Sequence, residues 1–199
     1  KERKMFMTEY LTVISPEIFV LFSVFVAIIF RVSLPEDKQN YLYLVSQLML
    51  ILNLFVLLFI FIHQQHDITI NELYLIDKYS IVVKSFIVLG FIILLNYGYS
   101  FIRTLKERQG DFYILSLLSL LGMMMIVSSV NLMTIFLSIE VMSLPLYALV
   151  AMWRNDSIAV EAAIKYFITG AIASCILLYG FSLLYGASAA LSYSCLLYT

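Results

Sequence analysis

An all-α, polytopic transmembrane helix bundle of about six spans follows from three observations. The 199 residues are 63% hydrophobic and only 13% charged, with a mean hydropathy of +0.99, against roughly 45 to 50% apolar and about 25% charged in ordinary globular domains. The apolar residues gather into runs of the length that a hydrocarbon layer ~30 Å thick demands, about 17 to 25 residues. Those runs lack the alternating polar positions of a membrane barrel strand, and helices satisfy their own backbone groups where water is absent. A net charge of −1 gives nucleic acid or another acidic polymer no basic surface to bind. Cys175 and Cys195 show no CxxC or metal spacing, so neither a disulfide framework nor an iron–sulfur site is implied.

The first span is expected from Pro16 to Val32. Pro16 suits a first helical position, and the carboxylate of Glu17 complements a helix N-terminus, so Glu17 reads as a capping residue. No small-residue cleavage site flanks this run, which makes it a retained helix. The second span runs from Tyr41 to His63. His63 and His66 in HQQHD share a helical face, but no third or fourth ligand lies near, so a solvated turn is expected and no metal site.

The third span, Tyr79 to Ile102, holds Lys84 about one turn inside its start. Two readings stand: its long stem snorkels to the interface, or its ammonium serves a polar interior. The fourth, Phe112 to Val127, is the shortest. Ser128, Ser129 and Asn131 then form a tight turn between two antiparallel helices.

The fifth span, Leu132 to Met152, carries Glu140. At ~1.5 Å of rise per residue this acid lies roughly 12 Å inside the membrane. An ionised group at such depth costs at least ~2.5 to 3.5 kcal/mol on insertion scales, which makes an intramembrane acid a candidate for an ion pathway. Pro145, five residues on, removes one backbone hydrogen bond and crowds the carbonyl of Val141. It is either an ordinary membrane-helix proline or a loosened, wet spot beside the acid.

The sixth span, Ile158 to Tyr185, carries Lys165 as a matching anomaly of opposite charge. Glu161 stands four residues before it, the favourable order for a helical ion pair. That pair either neutralises Lys165 locally or shares it with a more central acid. Gly170, Ala171, Ala173, Ser174 and Gly180 permit close helix packing, so the sixth helix is expected to be buried.

Basic residues set an orientation. One side carries Arg31, Lys38, Arg103, Lys106, Arg108 and Arg154, whereas the other carries Lys1, Arg3, Lys4 and Lys78. If translation starts at Met5 or Met7, only Lys78 remains on the second side. The positive-inside rule then places the N-terminus outside and the loop from Arg103 to Arg108 in the cytoplasm.

From Gly110 to Ser188 the chain resembles the antiporter-like subunits of respiratory NADH:quinone oxidoreductase, most closely the subunit N family. IEVMSLPLYALVA with its acid, EAAIKYF, GAIAS and LLYGFSLLYG carry the resemblance. SPEIFVLF and DKYSIVVK are similar to early helices of that family, less specifically. The resemblance implies a proton-translocating module in a membrane arm, the N-terminal part of a fold of about fourteen helices in inverted repeats. Glu140 matches a glutamate whose partner lysine stands on a broken seventh helix, and Lys165 matches the sixth-helix lysine. Glu161, Lys84 and Pro145 are secondary candidates.

The resemblance also implies that NADH, FMN, iron–sulfur clusters and quinone belong to other subunits, the partners of this chain in a bacterial inner membrane or a mitochondrial one. Residues 1–110 then form the first three helices, 111–187 the start of the translocating module, and 188–199 an atypical tail that ends a fragment. Two alternatives are a subunit of a related cation/proton antiporter or membrane-bound hydrogenase, and a structural membrane subunit whose charges only lock helices together.

Overall fold

A computed structural model describes residues 2–33, 40–63, 68–70, 73–102 and 109–193. The expectations placed on Lys38, His66, the loop from Arg103 to Arg108 and Cys195 lie outside these residues. Six helices follow one another: α1 Glu2–Ser33, α2 Asn40–His63, α3 Lys78–Ile102, α4 Gln109–Ser128, α5 Leu132–Val150 and α6 Ser157–Ser188. All six are long and apolar enough to cross a membrane, so the chain is a multi-pass membrane protein. Each segment expected from the sequence is present, and the ends of α2 to α6 differ from expectation by no more than three residues.

Helix ends are set by local polar chemistry. Asp77 and Ser80 cap α3 reciprocally, Ser80 N donating to Asp77 Oδ1 at 2.8 Å and Asp77 N to Ser80 Oγ at 3.1 Å. Asn131 caps α5 and Asp156 caps α6, each accepting from the backbone N–H two residues on at 2.9 Å. Ala189 ends α6 in the left-handed region with φ 53°, its N–H donating to Tyr185 O at 2.8 Å.

Helices α1 to α4 enclose the apolar core, with Val20, Val24, Leu50, Leu57, Val88, Leu95, Leu117 and Leu120 all buried. Polar stitches fix their rotation. Tyr43 Oη on α2 donates to Asn96 Oδ1 on α3 at 2.5 Å, and Arg31 at the end of α1 meets Asp111 at the start of α4 at 3.2 Å. Helix α5 packs along α4, most closely at Gly122, where backbone approaches backbone at Met142. Helix α6 packs on α5.

A short antiparallel hairpin, β1 Ile68–Ile70 and β2 Tyr74–Ile76, pairs Ile68 with Ile76 and Ile70 with Tyr74. It is the element the sequence reading missed. Its signal was the alternation in ITINELYLI, which places Ile76 in the core. The α4–α5 turn lies between this hairpin and the segment after α6: Val130 N donates to Leu73 O at 3.1 Å, Tyr193 N to Val130 O at 3.0 Å and Leu132 N to Leu191 O at 2.9 Å. The tight turn expected at Ser128, Ser129 and Asn131 is thus present and doubly anchored.

Two expectations fail. Helix α1 does not begin at Pro16 but runs through it, so Glu17 lies inside the helix and does not cap it. A proline deletes a single backbone bond, that to the carbonyl four residues before it, a loss membrane helices tolerate; Asn53 Nδ2 of α2 donates to the adjoining Pro16 O at 2.9 Å. The second failure is α6, expected to be buried, in which Ala163 is the one buried residue. Only one stripe of α6 meets α5, and Ala171 and Ala173 point away from it and are exposed. Small side chains permit close packing, but they do not supply the neighbour.

Candidate functional site

Glu140 stands on α5, half-buried, and its Oε1 accepts from Ser174 Oγ of α6 at 2.5 Å. The helical repeat explains the meeting. Glu140 and Tyr147 lie two turns apart on one face of α5, and Ala163, Phe167, Gly170 and Ser174 line one stripe of α6. Tyr147 lies directly over Gly170, where a Cβ would come within 2.6 Å of the ring's Cζ. Tyr147 also meets Tyr166 and Phe167 edge-on, with ring centroids 5.0 and 5.6 Å apart. Glu140 thus has one neutral hydrogen-bond donor, and no ion pair to it is present among the described residues.

Lys165 is not that cation. It pairs with Glu161 at 2.5 Å, with side chains 73% and 64% exposed, so in this structure the pair is local and is not shared with a deeper acid. Nine residues separate Lys165 from Ser174, about 14 Å along the helix and half a turn around it. Lys165 therefore projects from the opposite face of α6 from the one that meets Glu140. Pro145 is buried inside α5, five residues from the acid.

The other intramembrane charge settles differently. Lys84 is wholly buried and bonds to Glu17 Oε1, 67 residues away in sequence. The snorkelling reading is excluded, and the ammonium lies in a polar interior. Tyr74 Oη from β2 donates to the same Oε1 at 3.2 Å, and the Lys84 ammonium lies 5.7 Å from the centre of the Tyr74 ring. Burial, then the negative charge of Glu17, pushes the Tyr74 phenol well above its ordinary range. Glu17 Oε2 and Asn53 Oδ1 are buried without a hydrogen-bond partner. Truncating one member of a buried ion pair costs ~3 to 5 kcal/mol, because the other charge is left alone. Sequence reasoning missed this cluster by assigning Glu17 to a cap. The available signal was depth: Glu17 and Lys84 each stand near the start of a span, and α1 and α3 run in the same direction.

Among the described residues no group of three or more His, Cys, Asp or Glu could hold a metal ion. His63 is exposed and bonded to Phe59 O.

Residues 129–199 match the family described as NADH:quinone oxidoreductase/Mrp antiporter, TM. The chain is 40% identical over 179 residues to NADH-quinone oxidoreductase subunit N of Coxiella burnetii, covering 88% of this chain and 37% of that protein. It is 36% identical over 187 residues to subunit N of Ruthia magnifica subsp. Calyptogena magnifica, covering 94% and 38%. The chain thus spans less than two fifths of the length of these curated relatives. Among solved structures it is similar to a chain of respiratory complex I from Thermus thermophilus with bound aureothin, at TM-score 0.71 and 29% identity over 89% of this chain and 38% of that one. A chain of the membrane-bound sulfane sulfur reductase, an archaeal respiratory membrane complex, shares the fold at TM-score 0.71 and 19% identity, over 94% of this chain and 39% of that one. The resemblance read from IEVMSLPLYALVA and EAAIKYF is therefore to true homologues, and the fold is the antiporter-like helical one.

Proposed function

We propose that this homologue of NADH-quinone oxidoreductase subunit N forms part of a proton-translocating module in the membrane arm of that complex, with Glu140 as a proton carrier. The observation that carries the proposal is the contact of Glu140 with Ser174. A carboxyl at membrane depth is costly, and such residues usually mark an ion pathway; its donor here is a hydroxyl, which can accept from a protonated acid as readily as it donates to a carboxylate. Redox chemistry belongs to other subunits in this reading, which supply NADH, FMN, iron–sulfur and quinone sites; this chain contributes the proton path and helix surfaces for lipid and neighbouring subunits. Lys165, Glu161 and Lys84 act on that path through charge, and Pro145 by loosening α5 beside the acid.

The test is Glu140→Gln in the full-length subunit within its complex, which keeps side-chain volume but removes the titratable group. NADH-driven proton pumping should fall sharply while assembly persists, and Glu140→Asp should retain part of it. A Gln variant that assembles and pumps at the wild-type proton-to-electron ratio would make Glu140 structural. The family description also spans Mrp antiporters, which favours a second reading as a cation/proton antiporter module; transport that requires sodium would select it. We place the N-terminus outside and residues 103–108 in the cytoplasm of a bacterial inner membrane, and a reporter fused after Arg108 that works only outside the cell would reverse this.

A further inference from the structure

We propose that Glu17, with Lys84 and Tyr74, is a second protonatable site, in which Glu17 Oε2 takes up a proton delivered by water at the hairpin end of the bundle. The inference rests on the reading of the chain as part of a proton-translocating subunit, and it adds a site on the first three helices, apart from Glu140 and Ser174.

The donors around Glu17 are unevenly spent. Lys84 Nζ and Tyr74 Oη both serve Oε1, whereas Oε2 is buried with no donor. Asn53 has the same imbalance, its Nδ2 bonded to Pro16 O and its Oδ1 buried and unserved. Two buried acceptors on neighbouring helices call for hydrogen, and buried acceptors without it are rare in native folds. A water donating to both, or a proton on Oε2, supplies it. Of the two oxygens only the carboxyl Oε2 can take the proton itself, and the Asn53 amide oxygen is left to water.

The surroundings allow the exchange. Glu17 stands three residues into the span that begins at Ile14, roughly one helical turn, so the path to surface water is short. Lys84 and Tyr74 are the titratable groups bonded to it, and Asp77, two turns before Lys84 on the same face of α3, is engaged in the cap with Ser80. His63, at the same end of α2, is exposed and bonded to Phe59 O. The charged residue of α4, Asp111, is held by Arg31 at the far end, and α4 adds the buried hydroxyls of Ser119 and Ser128. When Glu17 is neutral, the Lys84 ammonium keeps its contact with the Tyr74 ring, 5.7 Å from the centroid. A proton arriving as hydronium forms the Oε2–H bond and leaves water; release reverses this, and no electrons move. A pair that only locks α1 to α3 leaves the open oxygen unexplained, since apolar pairs of similar volume are often as stabilising as buried ion pairs.

The test uses membranes carrying the full-length subunit in its complex. Infrared difference spectra between acid and alkaline pH should contain a protonated-carboxyl band that moves in D2O, is lost in Glu17→Gln and is displaced in Glu17→Asp. The proton-to-electron ratio should fall in Glu17→Gln and stay low when Lys84→Met is added. A Glu17→Gln spectrum superimposable on wild type overturns the proposal, as does the double variant pumping at the wild-type ratio. If Glu17→Gln prevents assembly, Glu17→Asp carries the test, and an unmoved carboxyl band overturns it. Glu140→Gln in the same membranes separates the two readings: normal pumping there removes the parent reading, whereas loss there with Glu17→Gln unaltered removes this one alone.

Discussion

Adding one methyl group at Gly122 and one at Gly170 should have opposite kinds of consequence, because the two glycines face different obstacles. At Gly122 a Cβ would lie 2.6 Å from Met142 Cα and 2.7 Å from its Cβ, and closer still to its backbone nitrogen, where ordinary contact begins at 3.4 Å. Backbone cannot rotate aside, so α4 and α5 must separate by on the order of 1 Å along their whole contact, an overpacking that costs ~1 to 3 kcal/mol. At ~1.4 kcal/mol per factor of ten, this is roughly a five- to 150-fold loss of the correctly packed state. At Gly170 the obstacle is the far end of Tyr147, with Cζ at 2.6 Å and Cε1 at 2.9 Å. The ring can swing, and the cost is then the disturbed edge contacts with Tyr166 and Phe167, each worth ~0.5 to 1.5 kcal/mol. Gly122→Ala should therefore lower the thermal midpoint of the purified complex and its yield, whereas Gly170→Ala should leave yield near normal and lower pumping, because Ser174 stands one turn further along the same stripe of α6. Fluorescence-detected size exclusion after a temperature series reads the first, and proton-to-electron ratios read the second. A Gly122→Ala complex as stable as wild type, alongside a Gly170→Ala complex that fails to assemble, would refute the packing argument.

Ser174→Ala removes the donor to Glu140 and should reduce pumping several-fold without loss of assembly, and Ser174→Thr should restore much of it; equal rates for both variants would show that the hydroxyl has no part. Lys165→Ala should have a milder effect, and in a double-mutant cycle with Glu161→Ala on thermal midpoints the coupling should be small, since exposed i,i+4 pairs contribute only ~0.3 to 0.5 kcal/mol. Tyr74 keeps its proton more tightly folded than unfolded, so its stabilising contribution is complete below its ordinary value near 10.0 and is lost as pH rises above it. Tyr74→Phe should make thermal midpoints less sensitive to alkali above that point, and identical alkaline slopes for the two proteins would contradict the burial of the phenol.

Six spans, their order and most of their ends were legible in the residues alone, because the transfer free energy of a membrane helix is a sum over its own side chains. The turn at Ser128, Ser129 and Asn131, Glu140 inside its run, and the pairing of Glu161 with Lys165 are equally local, set by spacings of four residues or fewer or by position in a run. Glu17 was misread on an equally local sign: its neighbour Pro16 suits a helix start, yet α1 runs through it. Its true partner stands on α3, 67 residues away, and no local rule selects among the charges that six helices could bring together. The Ser174 contact to Glu140 and the exposure of most of α6 were likewise decided by helix rotation, which depends on the faces of neighbours. Composition determines that a chain enters the membrane and where it turns; which buried charges meet there is decided by packing between helices, whose strongest terms, close backbone approach and satisfied hydrogen bonds, exist only once the faces are in contact.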